Sequence, residues 1–162
     1  MGRRDDLNEE RMWMLGSRLA ALSMVESVHY FPLEKPDRVV ASFEETYYPD
    51  VVDAAALELR FRLNGEFNLL YRERWAGDRW VCRWDRHPNT HNTDDHFHVP
   101  PRPSETTALD AEYPADINDV LRLVFETIEA RVNEVWAETT APVYPTEYEF
   151  ERQYELPYLT DT

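Results

Sequence analysis

AALELRFRLNGEFNLLYRERWAGDRWVCRWDR, residues 55–86, decides the fold. Leu57, Leu59, Phe61 and Leu63 alternate with Glu58, Arg60 and Arg62, the two-residue period of a strand with one buried face. A two-residue loop at Asn64-Gly65 would set Arg62 against Phe67 and mix the faces. A three-residue loop of Leu63, Asn64 and Gly65, with the glycine in the left-handed region, instead pairs Phe61 with Phe67, Leu59 with Leu69 and Leu57 with Tyr71. The apolar face is then continuous. At Gly77-Asp78 a two-residue loop is predicted, pairing Trp75 with Trp80 and Tyr71 with Trp84 on that same face. Three antiparallel strands follow.

Outward from this centre the pattern turns helical. Met12, Leu15, Leu19 and Leu22 recur at helical spacing within residues 7–24, Asp5, Asp6 and Asn8 offer caps, and only Gly16 weakens the pattern. Pro32 and Pro36 break the chain, and Arg38 to Phe43 reads as a short strand before the turn signal YYPD. Residues 99–114, VPPRPSETTALDAEYP, are Pro-rich and read as irregular. Asp116 then caps a helix over 117–136, with Val120, Leu121, Val124, Ile128, Val132 and Val135 on one side and Arg122, Glu126, Glu129 and Asn133 on the other. The expected class is α+β: an antiparallel sheet of three to five strands, with the N-terminal and C-terminal helices packed on one face. Residues 1–136 form a single domain in this reading, and 137–162 an acidic, aromatic-rich tail.

The chain has 162 residues, enough to bury roughly two thirds of its unfolded surface in one core. An aromatic content of 13% excludes a disordered polymer, and no run approaches the ~18 apolar residues of a membrane span. The acidic start MGRRDDLNEE and the lone Cys82 argue against export and disulfides, so a cytoplasmic location is expected. Net charge is −15, and the bases divide as sixteen Arg and a single Lys, Lys35. Acidity with so little lysine resembles the halophilic habit of haloarchaeal proteins; genomic base composition favours Arg in the same direction. On the halophilic reading the charge reports the solvent and leaves an anionic ligand open.

The polar side of the central strands collects Arg60, Arg62, Arg72, Arg74 and Arg83 beside Asn68 and Asp85. From Leu59 to His91 seven Arg stand against four acids, a local +3 that leaves −18 on the rest of the chain. Either these arginines pair with acids from elsewhere and cover the sheet with their stems, or they form a basic patch. Four of the five histidines follow in RWDRHPNTHNTDDHFH, residues 83–98. Three chemistries fit them. His87, His91, His96 and His98 supply enough imidazoles for zinc, with His-x-His presenting two rings on one side of an extended segment, although the spacing matches no strong zinc pattern. Histidines at the end of an arginine-bearing strand also fit proton transfer on a phosphodiester: a base for a 2′-hydroxyl, an acid for the leaving oxygen, cations for the developing charge. Finally, Asn89, Thr90, Asn92 and Thr93 suit a polar turn whose histidines are merely solvated.

The hairpins running into RWDRHPNTHNTDDHFH resemble the TumE-type toxins of two-gene toxin–antitoxin modules, and haloarchaeal proteins that carry the same WDRHPN stretch. The resemblance spans about residues 57–98 and rests on Asp85, His87, His96 and His98; Arg86 stands where Asn is usual. It implies a toxin component with an antitoxin protein as partner. Combined with the residues, the expectation is a metal-independent, ribonuclease-like toxin acting on RNA, without a cofactor. His87, His96 and His98 are the acid/base candidates, Asp85 the orienter, and Arg72, Arg74 and Arg83 the phosphate contacts. The alternatives are a non-catalytic protein-interaction domain and a histidine-rich zinc module or hydrolase.

Overall fold

A computed structural model of the chain describes residues 7–88, 93–103 and 108–138. In chain order the elements are α1 (Glu9–Ala20), β1 (Val25–Phe31), β2 (Arg38–Phe43), a 3-10 turn (Glu45–Tyr47), β3 (Val52–Phe61), β4 (Phe67–Trp75), β5 (Asp78–Pro88), β6 (Thr93–His98), β7 (Ala108–Ala111) and α2 (Ile117–Ala137). All seven strands join one antiparallel sheet in sequence order, so every neighbour in space is a neighbour in the chain.

The first central hairpin has the predicted register: Phe61 opposes Phe67, Leu59 opposes Leu69 and Leu57 opposes Tyr71. Gly65, at φ +91°, supplies the left-handed residue that closes it. The second hairpin corrects the prediction. Trp75 opposes Asp78 and Tyr71 opposes Cys82, a shift of two residues from the expected pairs. The turn centres on Ala76 and Gly77, with Gly77 at φ +75°, so the positive φ falls at the second central position as a type II turn requires. Because side chains alternate with a period of two, a two-residue slip changes partners and keeps faces. Trp80, Cys82 and Trp84 accordingly remain buried.

Seven strands replace the expected three to five. The additional ones are edges with weak patterns: β1 breaks its phase at an irregularity between Val25 and Ser27, β6 buries only Phe97 and Asp95 among its described side chains, and β7 is four residues long within the stretch read as irregular. Backbone pairing holds them where hydrophobic alternation gives no signal. The first helix is shorter than the predicted 7–24. Asn8 caps it by accepting from the Arg11 amide at 3.0 Å, and Leu22 and Met24, beyond its end, still pack against the core. Gly16 is explained by packing, since the Tyr30 ring of β1 occupies the space a Cβ would need.

Both helices lie on one face of the sheet. Met12, Leu15 and Leu19 of α1 and Val120, Val124, Ile128, Val132 and Val135 of α2 share a continuous core with Leu57, Leu59, Leu69, Tyr71 and Trp84. Asp116 caps α2 as expected, accepting from the Asn118 amide at 2.7 Å, and α2 runs one residue past the predicted end. Of the proposed tail, residues 139–162 lie outside the described residues.

An ion pair is sealed into this core. Arg131 of α2 donates to Glu73 of β4 through Nη2 (2.8 Å) and Nε (3.0 Å), the pair being 1% and 0% exposed at their side chains. Tyr71 and Trp75 donate to the same carboxylate at 2.8 and 2.9 Å, and the guanidinium lies 4.0 Å from the Trp80 ring centroid. A buried charge of this kind is tolerated because partner and hydrogen bonds are all supplied.

Candidate functional site

With one face covered by helices, strand alternation sends the remaining side chains to the other. On β5 these are Arg83, Asp85 and His87; on β6, His96 and His98. The antiparallel register then sets Asp85 between Asn68 and His96, and Arg83 between Leu70 and His98. Residues separated in sequence by the 89–92 connection are thereby brought side by side.

Asp85 is the hub, and is only 1% exposed although it lies on the open face. Its Oδ1 accepts from Asn68 Nδ2 at 2.7 Å. Its Oδ2 accepts from Arg83 Nε at 2.8 Å and stands 2.9 Å from His98 Nε2. His87 reaches toward the same oxygen at 3.9 Å, while its Nδ1 is 3.3 Å from Glu66 Oε1. His96 faces Asp110 of β7 at 3.8 Å, and its ring centroid is 6.5 Å from that of His87. Three of the four candidate imidazoles and the candidate orienter thus share one locus; His91 lies outside the described residues.

The electrostatics single out His98. Burial pushes its pKa below the ordinary histidine value, and the Arg83 guanidinium, 3.1 Å away, pushes the same way against the raising influence of Asp85. The ring is therefore neutral at pH 7. With Nε2–H donating to Asp85, its Nδ1 carries the lone pair.

The predicted phosphate contacts divide. Arg83 bonds to Asp85, and Arg72 pairs at 3.3 Å with Glu58, which also takes Arg38 at 3.1 Å. Arg60 and Arg62 pair with Asp37 and Glu66. Much of the basic patch is thus neutralised by neighbouring acids. Arg74 differs: it opposes Arg79 across the β4–β5 ladder, and neither side chain has an ionic partner among the described residues. Arg79 was missed because the predicted register was two residues off. Arg74, Arg79, Arg72, Arg83 and Arg102 wall an open depression of about 860 Å³ on this face, floored by Ser42, Ala54, Ala56 and Val81.

Two residues of the histidine segment belong to the other face. Arg86 and Asp95 form a two-bond ion pair (2.8 and 3.0 Å), with Arg86 donating also to the Tyr113 carbonyl and Asp95 accepting from the Tyr113 amide. These tie β5 and β6 to the segment before α2. Cys82 also faces the core, with burial raising its thiol pKa, which removes it from any ligand set built on the histidines. Among the described residues no group of three or more His, Cys, Asp and Glu is arranged to hold a metal ion, and no helix is long and apolar enough to cross a membrane.

An antiparallel seven-strand meander with helices on one face and an Asp–His–Arg cluster on the other defines an α+β protein with its chemistry on the open side of the sheet. A family model described as Toxin TumE matches residues 17–132, and the chain belongs to that family. The family points to the toxin component of a toxin–antitoxin system, with an antitoxin as the implied partner. No curated protein and no solved structure matches the chain.

Proposed function

We propose that this toxin is a metal-independent ribonuclease whose catalytic centre is the cluster around Asp85. The observation that carries the reading is the Asp85–His98 contact of 2.9 Å, in which a buried carboxylate orients a half-buried imidazole held neutral. His98 Nδ1 is the base that removes the proton of a ribose 2′-hydroxyl. The 2′-oxygen attacks the adjacent phosphorus, the bond to the 5′-oxygen breaks, and His96 or His87 protonates that leaving oxygen. Arg83, fixed by Asp85, offsets charge on the phosphoryl oxygens, and Arg72 and Arg74 contact flanking phosphates. The products are a 2′,3′-cyclic phosphate and a 5′-hydroxyl. Binding of the antitoxin over this face is the corresponding means of inhibition.

The test is incubation of total RNA with the full chain and with a His96→Ala/His98→Ala variant, in high salt with a chelator present. Cleavage by the wild type alone is expected. Equal absence of cleavage would remove the reading.

A further inference from the structure

Arg74 and Arg79 present an electrostatic anomaly. Like charges directly opposite one another on a sheet destabilise it, and these two stand as Cα partners, exposed, without a carboxylate partner among the described residues. Their neighbours are satisfied: Arg102 binds Asp78 at 2.9 Å and Arg72 binds Glu58. An acidic chain with 32 carboxylates leaves this one pair facing the depression unneutralised. The opposite wall carries Glu26, Glu44, Glu45 and Glu58, which repel an anion and confine it to the arginine side.

The pair is also set at a definite distance from the histidines. Six residues of β5 separate Arg79 from Asp85, ~20 Å at the rise of an extended strand. Arg83 lies between, lining the depression and touching both Asp85 and His98. A polyanion that reaches the histidines can therefore run along the open face to the arginine pair. The small floor residues leave room for unpaired bases, whereas a rigid duplex would not fill a depression of about 860 Å³.

We infer that Arg74 and Arg79 form a remote phosphate clamp for single-stranded RNA, engaging a backbone phosphate several nucleotides from the cleaved bond. This rests on the ribonuclease reading for its purpose, though not for its binding test. Guanidinium pairs suit the task because they grip phosphate by paired hydrogen bonds that survive salt better than a point charge does.

The experiment compares the wild type with Arg74→Gln/Arg79→Gln on a dinucleotide and on a labelled single-stranded RNA of about eight nucleotides. For the longer RNA, KM should rise at least about tenfold, and the slope of log affinity against log salt should fall by about 1.4, some 0.7 per lost phosphate contact. Dinucleotide cleavage should not change. An Arg74→Lys/Arg79→Lys variant should retain most of the salt slope. Equal losses on both substrates, or none on the longer one, would overturn the clamp and leave the catalytic reading standing. If the wild type cuts neither RNA, the catalytic reading falls, and binding of the labelled RNA with its salt slope still decides the clamp. A labelled glutamate-rich peptide that binds through the same arginines more tightly than the RNA would also overturn it, assigning the pair to an acidic protein partner.

Discussion

Glu73 on β4 and Asp85 on β5 are both 1% exposed, both bonded to an arginine, and carried on neighbouring strands of one sheet. They lie on opposite faces. Glu73 is enclosed by Arg131, Tyr71 and Trp75 inside the core, so every lone pair is spoken for by a group that water cannot reach. Asp85 is enclosed by Asn68, Arg83 and His98, and the last of these keeps a ring nitrogen toward the open face. Burial of a carboxylate, then, does not mark a site. The mark is a titratable partner that connects the carboxylate to solvent.

The largest effect that probes this contrast is on stability. Arg131→Leu strips Glu73 of its counterion inside the core and should destabilise the protein by about 3–5 kcal/mol in chemical denaturation. The double change Glu73→Leu/Arg131→Leu should recover most of that loss, because an apolar pair needs no solvation. If the single variant is as stable as wild type, the sealed pair is not the structural element described here.

At Asp85 the effect should appear in turnover. Asp85→Asn leaves the fold in place but loosens His98 and should lower cleavage about a hundredfold. The pH profile separates orientation from simple damage. Burial and Arg83 lower the His98 pKa while Asp85 raises it, so removing the carboxylate lowers that pKa further. Since the base acts in its neutral form, activity falls as pH drops through the folded pKa, which lies below 6.5 in the wild type; in Asp85→Asn this acid limb should move to lower pH. A limb that stays put, or moves up, would contradict the assignment of His98 as base under Asp85.

The central strands were legible because alternation in β3 and β4 admits one continuous apolar face, which fixes both the first register and the polar side bearing Arg83 and Asp85. The α2 helix was legible from its stripe and the Asp116 cap. The edge strands were not: β6 offers a single buried aromatic, Phe97, and β7 none, so backbone pairing alone defines them. The second hairpin failed by two residues because Ala76-Gly77 and Gly77-Asp78 are both plausible turn centres, and only the position of the positive φ decides. Glu73 and Arg131 each stood in phase with apolar neighbours, a signal that an acid on a strand and a base on a helix will meet in the core. For the site, parity showed that Asp85 and His87 share a face and that His96 and His98 share one. Their meeting depends on the β5–β6 register, which the connection at 89–92 does not encode in any recognisable turn pattern.

The central claim is that the Asp85–His98 side of the sheet cuts RNA through its 2′-hydroxyl. It is tested most directly with one defined single-stranded RNA, its cleaved position carrying either a 2′-hydroxyl or a 2′-hydrogen, in the presence of chelator. The wild type should cut the hydroxyl form to a cyclic phosphate, leave the deoxy form intact, and lose at least about a hundredfold in rate on His98→Ala. Cleavage of both RNAs at equal rates, or a His98→Ala variant as fast as wild type, would contradict the account.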